Sequence, residues 1–393
     1  MWRTAIFIAL AAILSAGSAI GQENPADDEA KQTFDQLRSE WQTVTGQLQE
    51  KLRAKTAPGA DQGALDREIA ALQKLSEALI EQIVAAGLDV YRADPQGYPA
   101  VNETLVAIAG FSVTGDRHGD GGDQYERALP VIQALLEAGA GGKWLDLWVW
   151  GGVSAFCTNQ FDLAEEYLKH ASTVGLFENL PQGRTDDPLT RVRQFGMSCL
   201  NDIGGTRRAW EKEQKIRAAE AAADDLPRVK LSTSRGDIII ELFENEAPQS
   251  VANFITLAKQ GYYTNVPFHR VLPGFMAQGG DPTGTGSGGP GYTIRDEQTL
   301  PNHRQHFRGS LSMAKTSAPN SGGSQFFLTF VPTSYLDGRH TVFGRVVEGM
   351  DVAAALKRRD PDSASPPTPD KIVSATILRD RGHTYEFEKI PER

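Results

Sequence analysis

The chain has 393 residues, long enough for two or three domains with separate cores, and its 40% hydrophobic and 23% charged residues are ordinary for globular protein. The net charge of -10 is unevenly spread, with -12 in residues 1–227 and +2 in residues 228–393. An acidic surface repels phosphate backbones, so the N-terminal part is not expected to bind nucleic acid, and its acidity reads as a solubility feature.

Residues 1–21 have the make-up of a secretory signal peptide: Arg3 as a short basic start, a nearly all-apolar run TAIFIALAAIL, and Ala19-Ile20-Gly21 as a small-x-small cleavage site before Gln22. The run is short for a membrane span, and no later segment is apolar enough for one. The folded part is therefore expected outside the cytoplasm, periplasmic or secreted, with an uncleaved N-terminal anchor as the other reading. No Cys follows the apolar run, which argues against a lipid anchor.

Residues 22–225 read as a helical domain. Phe34, Leu37, Trp41, Val44 and Leu48 recur at spacings of three and four, as do Leu65, Ile69, Leu72, Leu79 and Ile83. The break at residues 56–59 (TAPG) between the two stripes predicts an antiparallel helical hairpin. Further helices are expected near residues 102–111, 124–137 and 144–157. Around residues 145–178, Trp148, Gly152, Phe161, Ala164, Leu168 and Ala171 fall at the spacing of a tetratricopeptide repeat, although Gly151 and Ala155 stand where large residues are usual. A single such unit must stack on neighbouring helices. A tetratricopeptide-like scaffold and a generic helical bundle both fit. Cys157 and Cys199, the two cysteines of the chain, read either as a disulfide, which would stabilise by about 4 kcal/mol in the chain-entropy model, or as two buried thiols. A polar helix over residues 207–223 leads to Pro227, which cannot continue it.

Beyond Pro227 the pattern turns to β, predicting a second domain over residues 226–393. Residues 229–233 and 237–242 flank Ser234-Arg235-Gly236 as a hairpin. A helix follows Pro248, with Val251, Phe254, Ile255 and Ala258 on one face. Short strands with Gly and Pro turns come next, then a Pro/Ser loop at residues 361–369 and a last strand near residues 372–378. A small β-barrel is expected.

Three blocks in this part carry chemistry: FHRVLPGFMAQGGD from Phe268, SLSMAKTSAPNSGGSQFFLTF from Ser310, and YLDGRHTVFG from Tyr335. In this order and spacing they resemble the cyclophilin family of peptidyl-prolyl isomerases, over residues 228–381. The resemblance implies an eight-stranded antiparallel barrel closed by two helices. It also implies an activity that needs no cofactor and no metal, acting on proline-containing polypeptides. Arg270 matches the arginine that donates to the prolyl nitrogen, and Gln278 the glutamine that holds that arginine and the substrate. Phe275, Met276, Phe327 and Leu336 match the walls of the proline pocket, with His340 at its edge and Gln325 lining the same groove. Ala314 and Lys315 match positions whose backbone bonds the bound peptide. Two residues depart from the family pattern. Tyr335 stands where the best-known members have Trp, which removes an indole N–H at the rim and speaks against tight binding of cyclosporin, a family inhibitor. Lys315 stands where they have Asn.

Other patterns read as structure. The GTGSGG run at residues 284–289 matches GxGxxG, but Pro290-Gly291 follows where a nucleotide site needs a helix, so a flexible loop is expected. Residues 116–123, DRHGDGGD, look like a calcium loop but place His118 third and Arg127 twelfth, so a turn capping the next helix is expected. His303 and His306 read as surface residues. The functional expectation is an exported isomerase assisting protein folding, with a helical domain that binds a partner or client. The alternatives are a non-catalytic protein that holds Pro-containing peptides, and an assembly scaffold in which the isomerase is an accessory.

Overall fold

In a computed structural model, residues 25–391 are described, apart from 56, 58–60 and 184. The expected signal segment lies outside the described residues, as does most of the break at 56–59.

Helices α1 (Pro25–Ala54) and α2 (Gln62–Ala93) form the expected hairpin. Asp61 caps α2 by accepting the Ala64 N–H at 3.0 Å. The predicted stripes face inward: Phe34, Trp41, Leu79 and Ile83 belong to one buried cluster, and Leu48 and Ile69 are buried as well. The buried Trp41 indole N–H is met by buried Ser76 at 2.9 Å. Helices α3 (Pro99–Thr114), α4 (Tyr125–Glu137), α5 (Asp146–Cys157) and α6 (Phe161–Thr173) follow. Glycine lets α5 and α6 approach closely, since a Cβ at Gly152 would lie 2.5 Å from Leu168 Cγ. Helix α7 (Pro188–Ala223) begins at Pro188 instead of residue 207, because Asp187 accepts the Thr190 N–H and Pro188 opens the first turn. Cys157 and Cys199 are buried free thiols, and burial pushes both well above the usual thiol range.

The strands are β1 (Arg228–Thr233), β2 (Gly236–Leu242), β3 (Val266–Pro267), β4 (Arg270–Leu272), β5 (Met276–Gly279), β6 (Tyr292–Thr293), β7 (Ser310–Met313), β8 (Phe326–Thr329), β9 (Val342–Glu348), β10 (Lys371–Arg379) and β11 (Ile390–Pro391). Nine of them form one antiparallel sheet in the order β3-β10-β1-β2-β9-β7-β8-β5-β4. Eight of these are longer than two residues, as the barrel expectation requires; β3 is a two-residue addition. The edge strands β3 and β4 are separated in sequence only by Phe268 and His269, so the sheet must curl until its ends meet. The Phe268 N–H to Asp370 carbonyl bond (2.9 Å) and a Val271–Arg359 bridge help to hold that curl. Helix α8 (Pro248–Lys259) fills one opening of the curled sheet. Its Phe254 ring packs 5.0 to 5.6 Å from those of Tyr263, Phe326 and Phe343. The short α9 (Met350–Ala354) follows β9.

The charge imbalance of the sequence is partly spent where the two parts meet. Arg304, with a side chain only 1% exposed, donates to Glu213 (2.9 and 2.6 Å) and Glu220 (2.5 Å) of α7. Arg345 also reaches Glu220, at 2.7 Å. Asp120, Asp123 and Glu126 of the helical part meet Lys357, Arg358 and Arg308 of the barrel. The solubility reading of the acidic half is thus incomplete, because several of its carboxylates are buried against arginines.

Candidate active site

Cross-strand register assembles the site. Arg270 on β4 lies opposite Gln278 on β5, Gln278 opposite Phe327 on β8, and Phe327 opposite Ser312 on β7. Directly opposed residues in antiparallel strands share a face, so these four form one row. Beside the row, Leu272, Met276 and Phe327 make a buried apolar cluster, with Phe275, Ala314 and Leu336 packed on it. Leu272 was missed from sequence; it pairs with Met276 across β4 and β5 and was legible only once that register was known.

Ten of the residues singled out from sequence line one cleft of about 510 Å³: Arg270, Phe275, Met276 and Gln278 from the first block, Ala314, Lys315, Gln325 and Phe327 from the second, Leu336 and His340 from the third. Tyr335 stands at the mouth, 59% exposed, its ring 6.2 Å from that of Phe275. The Arg270 guanidinium lies 5.8 Å from the Phe275 ring centre. Among the described residues no carboxylate lies within ion-pairing distance of it, so its charge is not neutralised from within the protein.

The polar side of the cleft is a relay of amides. Gln278 Nε2 donates to Gln325 Oε1 at 2.9 Å, and Gln325 Nε2 donates to the carbonyls of Gly286 and Gly288, both at 2.9 Å. Gln278 therefore spends this donor on Gln325, while Arg270 is its cross-strand neighbour. The Ala314 N–H is donated to the Gln325 carbonyl, which leaves the Ala314 carbonyl as the group to meet a peptide. Lys315 turns its ammonium onto Asp296 at 2.6 Å, so its charge is matched inside the protein.

The glycine-rich loop is built, contrary to the expected flexibility. Buried Asp281 accepts from the Thr283 N–H and hydroxyl and from the amides of Gly286 and Gly288, at 2.7 to 3.0 Å. Burial alone would raise this carboxyl; those bonds outweigh it and hold the group down at about 2.

His306 is buried, which corrects the surface reading. Its Nδ1 faces Asp337 Oδ1 at 2.7 Å and its Nε2 faces Ser312 Oγ at 2.9 Å. Its ring stacks parallel to Phe327, 6.0 Å between centres, and so backs the pocket wall. The alternating polar residues in SLSM were the one signal that something polar lay beneath this strand. His340 packs edge-on against Phe327 at 5.5 Å, and its Nδ1 donates to the Met313 carbonyl at 3.0 Å. A carbonyl only accepts, so Nδ1 carries the proton and Nε2 of the neutral ring is a bare acceptor.

A family model described as cyclophilin type peptidyl-prolyl cis-trans isomerase/CLD matches residues 228–377. A peptidyl-prolyl cis-trans isomerase of Helicobacter pylori is 48% identical over 151 residues, which are 38% of this chain and 90% of that protein. One from Schizosaccharomyces pombe is 47% identical over 156 residues, 39% of this chain and 100% of that protein. The chain belongs to the cyclophilin family. A solved cyclophilin-type isomerase of Cryptosporidium parvum is also similar, at 35% identity and a TM-score of 0.36, covering 39% of this chain and 99% of that one. The cyclophilin part is a peptidyl-prolyl cis–trans isomerase, and the family model's match starts at residue 228, just past the end of α7.

The histidines of this cyclophilin set a pH expectation. Burial lowers both His340 and His269 below the ordinary imidazole value, against the upward pull of the Met313 carbonyl on His340. Both rings are therefore neutral in the fold at pH 7. Turnover should be flat from pH 7 upward and decline only below about 6.5, as His340 takes up a proton and adds a positive charge to the cleft that Arg270 also lines. Stability follows the same sign. The unfolded chain binds these protons more readily, so the contribution is full above about 6.5 and is lost as pH falls through the lowered folded values. A pH–rate profile and urea titrations across pH 5–8 check both. A rate that titrates above pH 7 would contradict the neutral assignment.

Proposed function

We propose that this protein is an exported isomerase that assists folding, in which the cyclophilin part turns over X–Pro bonds and the helical part holds a client or partner polypeptide. An X–Pro bond isomerises slowly because the C–N bond has partial double-bond character, with a barrier of about 18–20 kcal/mol. Lowering it requires an apolar seat for the proline ring, freedom for the preceding carbonyl to rotate, and a donor that favours a pyramidal prolyl nitrogen. Met276, Phe327, Leu272 and Leu336 supply the seat. Arg270 supplies the donor: its guanidinium is permanently charged and unpaired at the cleft, so its field acts on the twisted state more than on the planar one. Arg270, without an ion pair among the described residues and beside an apolar pocket, is the observation that carries the catalytic reading. Tyr335, at the open rim, contacts the residues flanking the proline.

Two features support the finer parts of the reading. Residues 1–21 have the composition of an export signal, which makes Gln22 the start of the mature chain and the compartment periplasmic or extracellular. The fission yeast relative is matched over its whole length by the barrel alone, which leaves the helical part available for a second task. The hairpin of α5 and α6, with its tetratricopeptide-like spacing, is the segment best suited to hold a polypeptide. Among the described residues no helix is long and apolar enough to cross a membrane. The decisive assay compares a short X–Pro peptide with an unfolded protein whose refolding is limited by proline. The full chain should show a several-fold lower KM for the protein substrate. Equal KM values would remove the client-holding role, and a chain from its native host that retains residues 1–21 in the cytoplasm would remove export.

A further inference from the structure

The loop between α3 and α4, with its calcium-like run of acids at residues 116–123, is absorbed neither by the isomerase site nor by helix capping. The N-cap of α4 is Gln124, whose side chain makes no capping bond. Asp116 Oδ1 accepts the N–H groups of His118 (2.8 Å) and Asp120 (3.0 Å) and folds the loop on itself. Gly119, at φ +85°, lies so close to the barrel that a Cβ there would fall 2.2 Å from Pro273 Cβ. Asp123 is 3% exposed and has a left-handed backbone, φ +63°. Its carboxylate accepts the Gly274 N–H (3.1 and 3.0 Å), Arg358 Nη2 (2.7 Å) and the Tyr125 hydroxyl (2.8 Å).

Pro273 and Gly274 form the turn from β4 to β5, and those two strands carry Arg270, Met276 and Gln278, with Phe275 on the turn itself. Strand β4 has three residues and sits at the sheet edge, with β5 as its ladder partner and only the Val271–Arg359 bridge on its other side. A short edge strand frays unless something outside the sheet holds it. A second tether from the helical part reaches the same place. Glu126 pairs with Arg308 at 2.8 Å, Arg308 donates to the Phe330 carbonyl, and the Phe330 N–H donates to the Phe275 carbonyl at 2.8 Å.

We propose that Asp123 is a positioning residue of the isomerase: through its bond to Gly274 the helical part fixes the β4–β5 turn, and with it the placement of Phe275 and Arg270 on the cleft. Asp123 touches no substrate and acts through the turn. A displacement of about 1 Å at reacting groups costs up to about a hundredfold in rate, so a modest loosening of this turn is measurable.

The test uses the full chain. Asp123→Asn keeps the shape but replaces one acceptor oxygen with a donor facing Gly274 N–H and Arg358. Asp120→Asn is the control: it cuts the Lys357 ion pair in the same interface, keeps one amide oxygen for the Arg358 N–H, and does not touch Gly274. The expected result is a kcat lowered about tenfold in Asp123→Asn with faster hydrogen exchange at the Gly274 amide. Asp120→Asn should lose stability and keep its kcat. Gly119→Ala, which presses on Pro273 from the same loop, provides a second perturbation should Asp123→Asn fail to fold, and it should also lower kcat. The proposal is overturned by a folded Asp123→Asn or Gly119→Ala with wild-type kcat, or by Asp120→Asn and Asp123→Asn losing kcat in equal measure.

Discussion

Arg270→Ala should lower kcat/KM on an X–Pro peptide by roughly 10²–10³, the size expected for removing one electrostatic donor aimed at the changing charge. The loss should fall on kcat, because the guanidinium serves the twisted state more than the bound planar peptide. The apolar seat formed by Met276, Phe327 and Leu272 is untouched by the change, so peptides should still bind. Stability should hardly move, since Arg270 has no ion pair to lose among the described residues. Exchange measurements on a proline peptide, beside urea unfolding of both proteins, separate the two effects. A folded Arg270→Ala protein with near-normal kcat would show that the donor is another group.

Arg304→Ala should produce the largest stability loss, about 3 kcal/mol, at the low end of the ~3–5 kcal/mol typical for breaking a buried pair. Arg304 is enclosed between α7 and the barrel, with its guanidinium 3.8 Å from the Phe243 ring centre. Its removal leaves Glu213 and Glu220, whose side chains are 6% and 8% exposed, without their main partner. Burial opposes ionisation of Glu213, and the bonds from Arg304 are what hold it below the usual carboxylate range. Arg217 and Arg345 still reach the two carboxylates, at 2.7 Å each, which keeps the loss from being larger. Urea unfolding of the full chain should show the lower midpoint, and kcat should be kept at temperatures where the variant is folded. An unchanged midpoint would mean that the interface is held by apolar contacts such as Trp210 on Phe307.

Much of this protein is legible in the chain because the information is local. The stripes from Phe34 to Leu48 and from Leu65 to Ile83 repeat with the helical period and are the faces that α1 and α2 bury. The hairpin of β1 and β2 follows from two β-branched runs across Ser234-Arg235-Gly236. Arg270, Phe275, Met276 and Gln278 could be picked out together because one hairpin holds them within a few residues of chain. Folding that hairpin sets Arg270 opposite Gln278. Residues of the second and third blocks could be added by resemblance, but their meeting with the first depends on β8 pairing with β5.

Only the tertiary structure decided the rest. His306, Ser312 and Asp337 back Phe327 through bonds between separate segments, and no local pattern marks a buried polar array of that kind. Asp281 looks like any loop acid until the amides of Gly286 and Gly288 converge on it. The acids of residues 116–123 have the spacing of a metal loop or a cap, but Asp120 and Asp123 are spent on Gly274, Lys357 and Arg358, which lie far along the chain. The acidic N-terminal half and the arginines at 304, 308, 345 and 358 are visible as composition in the sequence. Composition gives the sign of a charge and not its neighbour, and a carboxylate is either solvated or buried according to whether the fold brings a guanidinium to it.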